Sequence, residues 1–253
     1  MRGPLSDGHG HVSSGSVSSR SVSSGLVLGG ALLHVAPAAT SWRRARNRLL
    51  PGLAGVGRRG HVALTFDDGP HPASTPAFLD ELDKLGWRAT FFLLGSQVER
   101  TPGLAKEIIR RGHEIGVHGM VHTSHLRRPW WWTTNDLARA VEVVADASGE
   151  APAWFRPPYG ALSASSLVAA RRAGVRTVLW TTWGRDWRPV STPENVAATV
   201  AATECDGPTV LLHDSDVSAA PGCWRSALGA LPILAERWEH AGWQVGSLSE
   251  HGL

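Results

Sequence analysis

The sequence predicts an α/β protein: a parallel sheet of about seven strands with crossover helices, curled into an irregular, TIM-barrel-like barrel. A doubly wound open sheet is the alternative. Three observations lead there. From His61 onward, short apolar runs alternate with stretches that carry apolar residues at helical spacing. Glycine closes several of the helical stretches, and proline or a hydroxyl residue opens some of them. Parallel strands need long connections, and helices of this length supply them.

The elements follow in order. The first strand is the apolar run Val62 to Phe66, which ends abruptly in Asp67-Asp68 and Gly69-Pro70. "STPAFLDELDKLG" reads as a helix, with Thr75 as cap, Pro76 in the first turn, Gly86 at the end, and Phe78, Leu79, Leu82 and Leu85 as its buried stripe. A second strand spans 89–94, a short helix closes at Gly112, and a third strand covers 113–117. A helix over 135–149 turns Leu137, Val141 and Val144 inward, and 153–155 is a brief fourth strand. A helix stopped by Gly174 leads to a fifth strand over 176–180. Thr192-Pro193 opens the next helix, through Thr203. Residues 209–212 are a sixth strand, a last helix runs to about His240, and 243–248 form a seventh strand.

Residues 1–58 are set apart from a single catalytic domain over 59–253. The stretch 6–25 is rich in Ser and Gly, lacks an apolar face, and is expected to be disordered. Residues 26–39 are apolar but short for a membrane span. A signal-peptide core and a helix packed on the domain both fit. Secretion or the cell envelope is favoured over the cytoplasm, and membrane association is left open. The basic cluster from Arg43 to Arg48 reads as a solvated helix face. With 253 residues, 42% hydrophobic and 19% charged, the chain can bury one sizeable core. Its net charge of +3 comes almost wholly from Arg, and no basic block interleaved with aromatics appears in the body, which argues against a nucleic-acid surface. Cys205 and Cys223 are too few for a four-cysteine zinc site, so a single bridge or two partly buried thiols remain open.

The polar residues fall where such barrels gather their chemistry, at the C-terminal ends of strands. Asp67 and Asp68 follow the first strand, His118 and His122 the third, Arg156 the fourth, Asp186 the fifth, and His213-Asp214 the sixth. A histidine pair four apart is, alone, more often surface or hydrogen-bonded histidine. The Asp-Asp at a neighbouring strand end tips the reading to ligation, because two imidazoles and a carboxylate leave positions open for water and substrate. Consecutive residues leaving a strand point in different directions, so one carboxylate can bind a cation while the other faces water as a general base. The run Trp130 to Trp132, placed on a loop, hints at a carbohydrate contact.

"TFDDGP" (65–70), "HGMVH" (118–122), "RPPYG" (156–160), "RDW" (185–187) and "LLH" (211–213) occur in an order and spacing that resemble the polysaccharide deacetylase family, carbohydrate esterase family 4, over roughly residues 60–250. The resemblance implies a distorted (β/α)7 barrel, which agrees with the independent strand count. It implies that Asp67 is the catalytic base, and that Asp68, His118 and His122 hold a divalent metal, Zn2+ first, with Co2+ or another transition metal as alternatives. It further implies that Arg156 orients Asp67, that the Tyr159 N–H helps bind the oxyanion, and that His213 is the general acid tuned by Asp186. Leu211 and Trp187 would wall the acetyl pocket. The implied activity is removal of N-acetyl groups from sugars of a cell-wall or chitin-type polysaccharide by a monomeric enzyme. An O-acetyl esterase and a silent carbohydrate-binding barrel are the alternatives. Two positions depart from the family pattern: Gly119 stands where Ser or Thr usually braces the ligand loop, and Trp183 stands where an acidic residue often precedes the "DW".

Overall fold

The computed structural model describes His34, Ala36, Pro37 and residues 42–253. The Ser/Gly-rich stretch and nearly all of the apolar stretch over 26–39 lie outside the described residues. Strands β1 (His61–Asp67), β2 (Thr90–Leu93), β3 (Glu114–Val117), β4 (Trp154–Phe155), β5 (Arg176–Thr177), β6 (Thr182–Trp183), β7 (Thr209–His213) and β8 (Gln244–Gly246) form one parallel sheet. Seven of them run in the order β5-β4-β3-β2-β1-β7-β6, while β8 pairs with the start of β1. No ladder joins β5 to β6 among the described residues, so the sheet is curled but unclosed, a distorted (β/α)7 barrel as the sequence predicts. All seven residues of β1 are buried, as expected of a central strand in a parallel sheet covered on both faces.

Around the sheet lie α1 (Arg43–Leu49), α2 (Pro51–Ala54), α3 (Thr75–Leu85), α4 (Gly95–Arg100), α5 (Pro102–Arg110), α6 (Trp130–Ser148), α7 (Ala164–Arg172), α8 (Pro193–Ala201) and α9 (Trp224–His240). Their inward stripes meet the sheet in one large core that includes Phe66, Phe78, Phe91, Phe155, Leu231 and Trp238. Helix α3 has Pro76 in its first turn and ends on left-handed Gly86 as anticipated. Its cap position is Ser74, and the Thr75 hydroxyl is turned inward, accepting from His71 N at 2.8 Å and donating to the buried Asp214. Helices α7 and α8 each open with a reciprocal capping box, Ser163 with Ser166 and Thr192 with Asn195.

Three further expectations change. The fifth strand over 176–180 is interrupted: ladder pairing stops after Thr177 and resumes as β6 at Thr182. Between them the backbone serves other partners. Leu179 N donates to Leu53 O at 2.8 Å, the Leu179 carbonyl accepts from Arg156, and the Trp180 carbonyl accepts from Arg46. Trp130 to Trp132 are not on a loop but form the first turn of α6, after Pro129. The basic cluster is not uniformly solvated either: Arg44 and Arg48 are exposed, whereas Arg46 is buried against Trp180. Cys205 and Cys223 are both free thiols, and burial pushes the Cys223 thiol up to about 12. Among the described residues no helix is long and apolar enough to cross a membrane.

Candidate active site

The C-terminal ends of β1, β3, β4 and β7 converge on a cavity of about 250 Å³ lined by Asp67, Asp68, His118, His122, Leu211 and His213, with Tyr159, Trp180, Trp183 and Trp187 as its aromatic walls. The two adjacent carboxylates at the end of β1 are separated by the backbone. Asp68 has φ 76°, a left-handed conformation that Asp tolerates better than most residues, and it swings the chain out of the strand immediately after Asp67. The side chains therefore leave in different directions, Asp68 between His118 and His122 and Asp67 toward Arg156, with Asp67 Oδ2 still 3.8 Å from His118 Nε2.

Asp68 Oδ1 lies 3.4 Å from His118 Nε2 and 3.5 Å from His122 Nε2, and it is buried with no hydrogen-bond partner. One ligand atom from each of the three residues falls within 4.8 Å of the others. A buried, orphaned carboxylate oxygen facing two imidazole nitrogens is an expensive arrangement unless a cation compensates it. The tautomer also suits ligation. His118 Nδ1 sits 2.8 Å from the Arg156 carbonyl, which can only accept, so Nδ1 carries the proton and Nε2 keeps its lone pair for the cavity. Burial above all holds both imidazoles neutral, His118 and His122 each down to about 3. Burial likewise pushes Asp68 up to about 6, with His213 pulling the other way and Asp67 adding to the rise. This donor set fits one divalent metal ion of the kind that accepts two imidazoles and a carboxylate.

Asp67 has a different neighbourhood. Its Oδ1 accepts from Arg156 Nη1 at 2.8 Å, and the same guanidinium donates to Thr65 Oγ1 and to the Leu179 carbonyl, each at 2.8 Å. Arg156 is fully buried and lies 4.1 Å from the Phe92 ring centroid, so its orientation is fixed by packing as well as by bonds. Across the cavity, His213 Nδ1 is 3.1 Å from Asp186 Oδ1, and the His213 backbone N–H donates to Asp186 Oδ2 at 2.7 Å. Burial alone would lower His213, but the carboxylates, chiefly Asp186, overcome it and push the imidazole up to about 10. Trp187 meets the His213 ring edge-to-face at 5.6 Å. Tyr159 has φ 61°, and its ring sits 4.2 Å from that of His122. Gly160 N donates to Pro157 O and Ala161 N to Pro158 O, so the turns of "RPPYG" do not use the Tyr159 N–H.

The conserved-domain profile described as "Polysaccharide deacetylase" matches residues 54–178. A peptidoglycan-N-acetylglucosamine deacetylase of Bacillus cereus is 38% identical over 155 residues, covering 60% of this chain and 72% of that relative. The chain belongs to the polysaccharide deacetylase family, carbohydrate esterase family 4. This deacetylase-family chain is also 36% identical over 153 residues to the peptidoglycan-N-acetylglucosamine deacetylase PgdA of Listeria monocytogenes, but it spans only 32% of that relative's length. The solved structure of the Bc1960 peptidoglycan N-acetylglucosamine deacetylase superposes with a TM-score of 0.72 at 30% identity, covering 79% of this chain and 91% of the other.

Every residue to which the family resemblance gives a role lies on or directly behind the cavity. Asp67, Asp68, His118, His122, Tyr159, Trp187, Leu211 and His213 line it. Arg156 and Asp186 stand behind Asp67 and His213. Sequence reasoning missed Thr65, which shares the Arg156 guanidinium, and Asp136, whose Oδ2 accepts from Met120 N at 3.0 Å inside the ligand motif. Asp136 had a legible signal: it is a carboxylate one turn before buried Ala140, on the inward stripe of α6. At the departure Gly119, φ is 90° and an added Cβ would stand 3.0 Å from Asp136 Oδ2, so this turn is built for glycine.

Proposed function

We propose that this chain is a metal-dependent hydrolase that removes N-acetyl groups from an acetylated glycan, with peptidoglycan as the favoured polymer because the relatives above carry that name. The observation that carries the proposal is that one cavity brings together the Asp68-His118-His122 donor set, an Arg-braced carboxylate and a carboxylate-braced imidazolium. A divalent cation of the Zn2+ class, held by Asp68, His118 and His122, would supply Lewis acidity toward water and the acetyl carbonyl. Asp67, aimed by Arg156, takes the proton of the attacking water. The Tyr159 N–H donates to the developing oxyanion, and Leu211 with Trp187 packs the acetyl methyl and excludes bulk water. His213 delivers its proton to the departing amine nitrogen. An ester leaving group needs that proton less, so the braced acid favours an amide substrate over an O-acetyl ester, and a silent binding barrel would need neither base nor acid.

The deciding measurement is acetate release from N-acetylglucosamine oligomers and from peptidoglycan, with and without chelator. Release that chelator stops and Zn2+ restores is expected. Release indifferent to chelator removes the cation from the scheme, and release from O-acetylated xylan alone makes the chain an esterase.

The His213-Asp186 pair sets the alkaline limb. His213 acts only while protonated, so activity is lost as pH rises through its folded pKa of about 10. Removing the Asp186 carboxylate takes away the strongest influence opposing burial, leaves Asp68 and Asp67 to oppose it, and moves that limb down toward the neutral range. Asp186→Asn is therefore expected to lose activity progressively between about pH 6 and 9, where the wild type stays flat, as read from a pH profile of kcat. Superimposable profiles would contradict the assignment of His213 as the acid.

A further inference from the structure

We infer that Asp136, sixteen residues beyond the centre of the ligand motif and outside the cavity lining, is a positioning residue that holds the turn between His118 and His122 in its cation-binding shape. The inference rests on the cation reading of Asp68, His118 and His122 above. To bring two imidazoles four positions apart onto one carboxylate oxygen, the chain reverses at Gly119 with φ 90° directly after β3. Part of that turn is tied to α4: Gly95 N donates to Gly119 O at 3.0 Å and Ser96 N to Met120 O at 2.9 Å. Those bonds use the carbonyls of the turn. The Met120 N–H points the other way, to Asp136 Oδ2 at 3.0 Å. The side chain of Asp136 is only 4% exposed, and the same Oδ2 stands 3.0 Å from where a Cβ of residue 119 would be. The carboxylate therefore fills the space that a larger residue at 119 would occupy.

Asp136 is itself located from the far side. His125 Nε2 lies 3.4 Å from Asp136 Oδ2, and His125 is wholly buried. The His125 ring stacks on Phe155 at 5.9 Å, and its Nδ1 is 3.2 Å from Ser166 Oγ in the capping box of α7. Phe155 immediately precedes Arg156, whose carbonyl fixes His118. One connected set of contacts thus joins the ligand turn to the strand end that orients the base. Outer partners of metal ligands act by holding ligand geometry, and their loss lowers metal affinity by about 10- to 100-fold.

The test compares Asp136→Ala, Asp136→Asn and Asn135→Gly, the last at an exposed position of the same helix. Three quantities are read: Zn2+ affinity by competition with a chelator, thermal unfolding of the cation-free protein, and amide exchange of Met120 in the cation-free protein. Asp136→Ala is expected to weaken Zn2+ by about 10- to 100-fold and to speed Met120 exchange by at least about tenfold. Asp136→Asn keeps an oxygen for the Met120 N–H and is expected to retain most of the protection. Asn135→Gly weakens the helix and lowers the unfolding temperature without changing Zn2+ affinity. Affinity in Asp136→Ala within about twofold of wild type, or a loss that Asn135→Gly reproduces at equal destabilisation, overturns the inference. If wild type itself binds no Zn2+, the cation reading falls, and unchanged Met120 exchange in Asp136→Ala then independently refutes the brace.

Discussion

Asp67→Asn is expected to lower kcat for acetate release by about 10²- to 10⁴-fold, the usual contribution of a positioned general base, while Zn2+ affinity stays close to that of wild type. The division of labour at the end of β1 dictates this result. The oxygen that faces both imidazoles belongs to Asp68, whereas Asp67 spends its Oδ1 on Arg156. The amide of Asn keeps an oxygen for Arg156 and nearly the same volume, so the fold and the donor set are left intact. Only the capacity to take a proton is removed. Calorimetric titration of Zn2+ beside the rate assay checks both halves. Full turnover in the variant, or loss of the cation, would show that the two carboxylates do not divide the work in this way.

Arg156→Leu is expected to destabilise the protein by about 3–5 kcal/mol, the range found when one partner of a buried ion pair is removed, and to abolish activity. The guanidinium has no exposed surface and serves Asp67, Thr65 and the Leu179 carbonyl together. Its deletion strands a buried charge and the Leu179 carbonyl at once, while Thr65 Oγ1 keeps its bond to the Val210 carbonyl. Adding Asp67→Asn to that background should recover part of the loss, because the stranded charge is gone, while activity stays absent. Denaturant unfolding of the two single variants and the double variant gives the coupling directly. Additive penalties would mean that the pair contributes through packing alone.

Much of this molecule was legible in its sequence because chemistry and topology repeat the same signal. Each strand that carries a reactive residue delivers it at the same end, so strand assignment alone gathers Asp67, His118, Arg156 and His213 into one mouth. The fold class followed from alternation, and the helix ends followed from glycines such as Gly86 and Gly149, which adopt the left-handed conformation. What escaped depends on partners distant in the chain. Nothing local says that 176–180 breaks as a strand, because the interruption is imposed by Leu53, Arg46 and Arg156. The tryptophan run, placed on a loop beside the ligand motif, instead opens a helix whose cap position is Pro129 and whose buried stripe becomes regular only further along, at Thr133, Asp136, Leu137 and Ala140. Asp136 was passed over because its purpose is a single backbone N–H of a different element.

The interrupted stretch between β5 and β6 ties the two ends of the molecule's logic together. Leu179 offers its carbonyl to the guanidinium that aims Asp67 and its N–H to Leu53, and the next carbonyl is held by Arg46. The segment ahead of the first strand is thus a buttress under the shelf on which Asp67 rests. An expression boundary drawn at Arg59, where the barrel's first strand invites it, would saw through that buttress and leave a correctly wound barrel with a loosened floor under Asp67 and Arg156.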